Sequence, residues 1–225
     1  MFNEARTVAT LIEKVRELNF DGHEKELIIV NDGSSDGTRE ALKPYERGVA
    51  GVQVFHNPVN LGKGASVRIG FSLAKGDIVT IQDADLELDP AEYHKLIVPI
   101  VDGTADVVFG SRFLGQSLMQ KKGSLPFYLA NRGLAVLATA LYGQKLTDIE
   151  TCYKVFRRDV LDKLKLRASR FELEPELTAQ VIKNGFRLVE LPIGYSPRSH
   201  ADGKKISWRD GITAVMMLID QKLKP

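Results

Sequence analysis

Short apolar runs alternate with helix-period segments through the first half of this chain, and that alternation limits the fold more than any other feature. The runs ELIIVND (26–32), VQVFH (52–56), DIVTIQD (77–83) and ADVVFGS (105–111) are β-branched and bounded by polar residues or glycine. Such runs mark buried strands. Between them, residues 4–18 set Val8, Leu11, Ile12, Val15 and Leu18 on one helical face. Helix patterns over 36–42, 64–74 and 90–101 follow, the last opened by Asp89 and Pro90. Alternating strands and helices build an α/β fold, a mostly parallel sheet flanked by helices. The helix pattern follows directly on Met1-Phe2-Asn3-Glu4. The first strand with which such a sheet begins is therefore expected to be missing.

The second half has a different texture. A long apolar helix pattern covers 126–142, YKVFRRD (153–159) reads as a strand, and a helix over 175–184 is closed by Gly185. FRLVELPI (186–193) is a strand ended by Pro192. A polar, basic, loop-like segment, YSPRSHADGKKISWRDG, precedes an amphipathic helix from about Ile212. With 225 residues, 44% of them hydrophobic, the chain suits one large domain with a real core. Lys and Arg number 31 against 29 for Asp and Glu, a balance that argues against nucleic-acid binding. Cys152 is the only cysteine, which favours a reducing compartment. The longest apolar stretch, GLAVLATALYG (133–143), is too short to span a bilayer. A cytoplasmic chain with scope for peripheral contact at the inner face of a membrane is the resulting expectation.

Ligands of open parallel sheets bind beyond the carboxyl ends of the strands. Asp32 ends one run and leads into GSSDGT, Asp83 and Asp85 end another, and Ser111-Arg112 ends a third. Any one of these acids is as readily a helix cap, but together they place polar groups on one rim. In an extended segment, residues two apart point the same way. Asp83 and Asp85 would then hold a hard divalent cation such as Mg²⁺ or Mn²⁺, with Glu87 able to join. Arg112, Arg198, Lys204 and Lys205 suit a diphosphate, and the competing reading is a solvated basic loop. Gly62-Lys63-Gly64 imitates the start of a dinucleotide fingerprint, but NPVNL separates it from the strand and Val67 takes the third glycine position. A dehydrogenase is set aside on that ground.

The ordered set FNE, IIVNDGSSDGT, NLGKGASVRIG, DADLELDP, GSRF, TDIETCYKVFRRDVL and ELPIGYSPRSHADGKKISWRDG resembles the family-2 glycosyltransferases of GT-A fold. The branch it most resembles is that of dolichyl-phosphate mannose synthase and its bacterial relatives. The resemblance implies one Rossmann-like GT-A domain over 1–225. Residues 1–112 would form the nucleotide-sugar half, and 113–225 the acceptor half with a basic loop at 196–209 and an amphipathic C-terminal helix. It implies that Glu4, Asp32 and Gly33 line the nucleotide pocket, with Gly62 and Lys63 beside it. Asp83 would contact the ribose or the metal, Asp85 would hold the metal, and Glu87 would be a further ligand. Arg112 would meet phosphate, and Arg198, Lys204 and Lys205 would close over the diphosphate.

The reaction implied is inverting transfer of a hexose from a donor of the GDP-mannose or UDP-glucose class to a polyprenyl phosphate. A hydroxyl acceptor would need a base, for which Asp148 and Glu150 are the candidates, whereas a phosphate is already ionised. A lipid tail would follow Phe127, Leu129, Leu134, Leu137 and Leu141 beyond Lys121-Lys122, unless that stripe is core or a dimer contact. The alternatives are the same donor chemistry on a sugar or metabolite hydroxyl, and a non-catalytic nucleotide-sugar-binding module.

Overall fold

The computed structural model describes residues 1–20, 22–115, 125–198 and 208–224. The runs that read as strands form two sheets. In the first, β1 (Leu27–Asn31) pairs in parallel with β2 (Val52–His56), Leu27 opposite Val52 and Asn31 opposite His56. The second has four strands in the order β3 (Ile78–Thr80), β5 (Lys154–Arg157), β4 (Val107–Ser111), β6 (Leu188–Pro192). β4 and β6 are parallel, as the alternation leads one to expect, whereas β5 runs antiparallel to both β3 and β4. β4 is buried along its whole length, which fits a continuous apolar run covered on both faces.

Helices cover these sheets. α1 (Val8–Glu17) buries Val8, Leu11, Ile12 and Val15, the face set by its periodicity; each side chain so buried contributes about 1.5–3 kcal/mol. α2 (Thr38–Leu42) and α3 (Lys63–Leu73) follow β1 and β2. The segment read as one helix over 90–101 is broken. A 3-10 turn at Pro90–Glu92 leads into α4 (Tyr93–Leu96) and then α5 (Val98–Val101). Pro99 has no N–H to continue the ladder, which accounts for the interruption. Asp89 does cap this segment, accepting from the Ala91 N–H at 3.2 Å. α6 (Leu125–Tyr142), α7 (Arg158–Leu161), α8 (Leu173–Lys183) and α9 (Trp208–Leu223) complete the second half. α8 is buried from Leu173 through Val181. Its Glu176 is satisfied by the Arg167 and Ala168 N–H groups and by Gln221. Among the described residues no helix is long and apolar enough to cross a membrane.

Asp106 joins β4, β5 and β6 at one end of the sheet. Its buried carboxylate meets Arg157 Nη1 and Arg187 Nη2, each at 2.8 Å. Hydrogen bonding to Arg187 holds its pKa down at about 2. The folded value lies below the unfolded one, so the stabilisation is complete above about pH 4 and is lost as pH falls toward 2. Because both arginines are partly exposed, we expect Asp106→Asn to cost about 1–2 kcal/mol at pH 7 and little at pH 2. Urea titrations of both proteins at the two pH values check this.

Candidate active site

Asp32 follows β1 with its carboxylate turned inward. It accepts from Asn57 Nδ2 at 2.8 Å, Asn60 Nδ2 at 3.0 Å, the Leu61 N–H at 2.9 Å and the Gly62 N–H at 2.8 Å. The carboxylate thus folds the 57–62 loop over the end of β1. Gly33 lies under that loop at φ +67°, and a Cβ there would stand 2.4 Å from the Val59 carbonyl carbon. Gly62, at φ +98°, would put a Cβ 2.3 Å from the Ser169 carbonyl oxygen. Both glycines therefore serve close backbone approach.

The acids of DADLEL do not lie on an extended strand. β3 stops at Thr80, residues 84 and 85 turn, and Leu86 is left-handed at φ +60°. The turn is pinned by Asp85 Oδ1, which accepts from the Glu87 N–H at 3.1 Å. A tight turn of polar residues overrides the alternation expected of a strand. Asp83 and Asp85 nevertheless stay close enough to repel. Burial, reinforced by the Asp83 charge, pushes the Asp85 carboxyl up to about 6.

Arg198 draws this acidic rim together. Its guanidinium grips Glu4 through Nη1 and Nη2 at 3.1 and 3.3 Å and meets Asp85 Oδ2 at 3.3 Å. Its backbone N–H donates to Glu87 Oε1 at 3.0 Å. Glu4, Asp85 and Glu87 thus converge on one arginine, and among the described residues no three His, Cys, Asp or Glu side chains are grouped so as to hold a metal ion.

Behind the rim lies a buried chain of charges that the sequence reading did not foresee. Lys63 Nζ is 2.9 Å from Asp83 and 3.1 Å from Glu174 Oε1. Glu174 Oε2 accepts from Lys154 Nζ at 2.5 Å. Lys154 is fully buried and also donates to the Ile149 carbonyl at 3.0 Å. Burial opposes the charge on Asp83, but Lys63 prevails and holds that carboxyl below its usual range.

The two acids of Asp148-Ile149-Glu150 have different surroundings. Asp148 is fully buried and receives Arg112 Nε at 2.7 Å, Nη2 at 2.8 Å and the Arg112 N–H at 3.0 Å. A carboxylate so engaged is a clamp for Arg112, and its pKa is lowered, the guanidinium outweighing the effect of burial. Arg112 also donates to Asn131 Oδ1 at 3.3 Å, and its guanidinium carbon lies 5.4 Å from the ring centres of Phe113, Phe127 and Tyr195. Glu150 Oε1 is buried and has no hydrogen-bond partner. Burial, together with the charge of Glu174, pushes its pKa up to about 7. A carboxyl raised on folding weakens the fold as pH rises through that range. We therefore expect Glu150→Gln to raise stability by about 2 kcal/mol at pH 8 and hardly at all at pH 5. Thermal melts at the two pH values read the difference.

A cavity of about 860 Å³ brings together Glu4, Lys63, Asp83, Asp85, Glu87, Arg112 and Glu150 on its walls. Asp32, Gly33, Gly62 and Asp148 support those walls from behind, and Arg198 crosses the acidic rim. Lys204 and Lys205 lie outside the described residues, as do His200 and Lys121-Lys122. Of the apolar stripe on α6, Leu134 belongs to the core and Leu129 is exposed, while Phe127, Leu137 and Leu141 are partly buried. Among the groups that the sequence reading missed, Tyr195 had no local signal, because only the fold brings it to Arg112.

The model of glycosyl transferase family 2 matches residues 1–165. The polyprenol monophosphomannose synthase of Mycolicibacterium smegmatis is 31% identical over 88% of this chain and 75% of its own length. The dodecaprenyl-phosphate galacturonate synthase of Rhizobium johnstonii is 27% identical over 91% of this chain, which spans 59% of that relative. Among solved structures, glucosyl-3-phosphoglycerate synthase from Mycobacterium tuberculosis, in complex with Mn²⁺, UDP and phosphoglyceric acid, superposes with a TM-score of 0.75 at 19% identity. That match covers all of this chain and 77% of the other.

Proposed function

The chain belongs to glycosyl transferase family 2, and from that premise we propose that it transfers a hexose from a nucleotide sugar to a polyprenyl phosphate. The observation that carries this reading is the setting of Arg112. A buried guanidinium, fixed by Asp148 and framed by three aromatic rings, lies on the same cavity as the acids. Among the described residues Asp148 and Asn131 engage Nε and Nη2, which leaves Nη1 as the nitrogen for an incoming anion. A phosphate on an apolar chain suits both the charge and the rings. The relatives named for polyprenol and dodecaprenyl phosphates support the same acceptor class.

We assign the site residues the following roles. Asp83 and Asp85, with Glu87 beside them, are the residues to hold a Mg²⁺ or Mn²⁺ ion. When bound, that ion would offset the negative charge that grows on the departing diphosphate. In this reading Arg198 serves the diphosphate of the bound donor, and Lys204 and Lys205, outside the described residues, are assigned the same role. Lys63 keeps Asp83 ionised, and Glu174 and Lys154 keep Lys63 in place. Asp32 fixes the 57–62 loop beside the nucleotide. Arg112 aligns the acceptor phosphate, which is already ionised and requires positioning more than a base. A single displacement inverts the anomeric centre.

Incubation with GDP-mannose and UDP-glucose, Mn²⁺ or Mg²⁺, and either a short polyprenyl phosphate or soluble sugars tests the reading, with products identified by mass spectrometry. We expect a metal-dependent lipid-linked hexose phosphate. Turnover on soluble hydroxyls alone would overturn it. One observation favours that second reading: Glu150, raised to about 7 and lacking a partner on Oε1, has the makings of a general base.

A further inference from the structure

Beyond β6 the chain runs from the neighbourhood of Arg112 to the acidic rim, held at each step. The Ile193 N–H donates to the Ser111 carbonyl at 2.9 Å, one residue before Arg112, and the Gly194 N–H donates to Glu92 Oε1 at 3.2 Å. The Ser196 N–H then donates to the Glu87 carbonyl at 2.9 Å, and the Arg198 N–H to Glu87 Oε1 at 3.0 Å. Tyr195 sits in the middle of this strap. It is 7% exposed and lines the cavity.

Tyr195 touches both ends of the strap. Its ring centre lies 5.4 Å from the Arg112 guanidinium carbon and 6.4 Å from the ring centre of Phe127, the two rings inclined by only 19°. Its hydroxyl is hydrogen-bonded to Glu87, and burial together with the Glu87 charge pushes the phenol's pKa up. The phenol therefore stays protonated and donates to the carboxylate. Of the three rings against Arg112, Tyr195 is the one with a polar handle. Asp148 and Asn131 hold Arg112 through Nε and Nη2. Bonds along one edge still allow the guanidinium plane to tip about that edge, and the tip decides where Nη1 points. A ring at 5.4 Å opposes tipping, because a cation is drawn to an aromatic face. Hydrogen bonding to a carboxylate fixes that ring and polarises it further.

We infer that Tyr195 is a positioning residue: its ring aims Arg112 at the acceptor phosphate, and Glu87 holds the ring through the hydroxyl. The inference rests on the acceptor reading given above and extends it. A carboxylate on the donor side of the cavity sets affinity on the acceptor side, and it does so with no metal present.

The test titrates farnesyl phosphate, and separately farnesol, into the full chain in EDTA and follows binding by calorimetry. We expect Tyr195→Leu to weaken the phosphate about 10-fold, and Tyr195→Phe, which keeps the ring, about 3-fold. Farnesol binding should change in neither. Glu87→Gln should weaken the phosphate about as much as Tyr195→Phe. Combining Glu87→Gln with Tyr195→Phe should cost no more than either alone, since both break the same bond. Thermal melts check folding, and if Tyr195→Leu unfolds, Tyr195→Phe and its pairing with Glu87→Gln decide. Wild-type affinity for the phosphate no greater than for farnesol would overturn the acceptor reading and this inference with it. A wild-type preference for the phosphate that Tyr195→Leu retains in full would overturn the inference alone. So would additive effects of Tyr195→Phe and Glu87→Gln, or an equal loss of farnesol, which would place the ring on the lipid tail.

Discussion

Arg112→Ala is expected to lower transfer to the phosphate acceptor by about 10³-fold, the scale of losing a preorganised charged group at the reacting anion. It should also destabilise the protein by about 3–5 kcal/mol, since Asp148 would keep its charge in a fully buried place with no partner. The two effects are separable. In Arg112→Met/Asp148→Leu both buried charges go together, and much of the stability should return. Activity should not return. Denaturant melts and initial rates on the single and double variants check both parts. A double variant that still transfers sugar would remove Arg112 from the acceptor site. Arg112→Lys sharpens the point: a point charge cannot replace the two-pronged pairing with Asp148, so KM for the phosphate acceptor should rise even where the fold survives.

Asp85→Asn is the second large effect. The substitution keeps the side chain's size and its capacity to accept from the Glu87 N–H, so the turn should persist. The lost charge should reduce metal-dependent turnover by about 10²-fold or more, while nucleotide binding without metal changes little. Rates measured across a Mn²⁺ titration distinguish this from misfolding. An unaltered metal dependence would move the ion away from Asp85.

Much of the fold was legible because short apolar runs and helix periodicity are local signals. β2 falls on the residues expected of it, and α1 buries the face that its spacing defines. Where the sequence misled, a local rule was overruled by a specific residue. Pro99 splits the helix over 90–101, and the left-handed Leu86 bends DADLEL out of an extended line. β5 lies antiparallel between β3 and β4, a choice made by tertiary packing. The site shows the same division. Asp85, Arg112 and Arg198 are conspicuous beside their motifs. Nothing near Asp148 in the sequence shows that its carboxylate clamps an arginine 36 positions earlier. Glu174 and Lys154 are equally silent, because a buried ion pair in the sequence looks like any two charges on an α/β surface.

The account rests most on the acceptor being an anion that Arg112 aligns. The measurement that tests it most directly offers the enzyme one polyprenol in two forms, as the phosphate and as the free alcohol, with the same donor and Mn²⁺. The account predicts a hexose-bearing lipid from the phosphate, lost in Arg112→Met/Asp148→Leu, and no product from the alcohol. Equal glycosylation of the alcohol, with a rate that depends on Glu150 and not on Arg112, would contradict it.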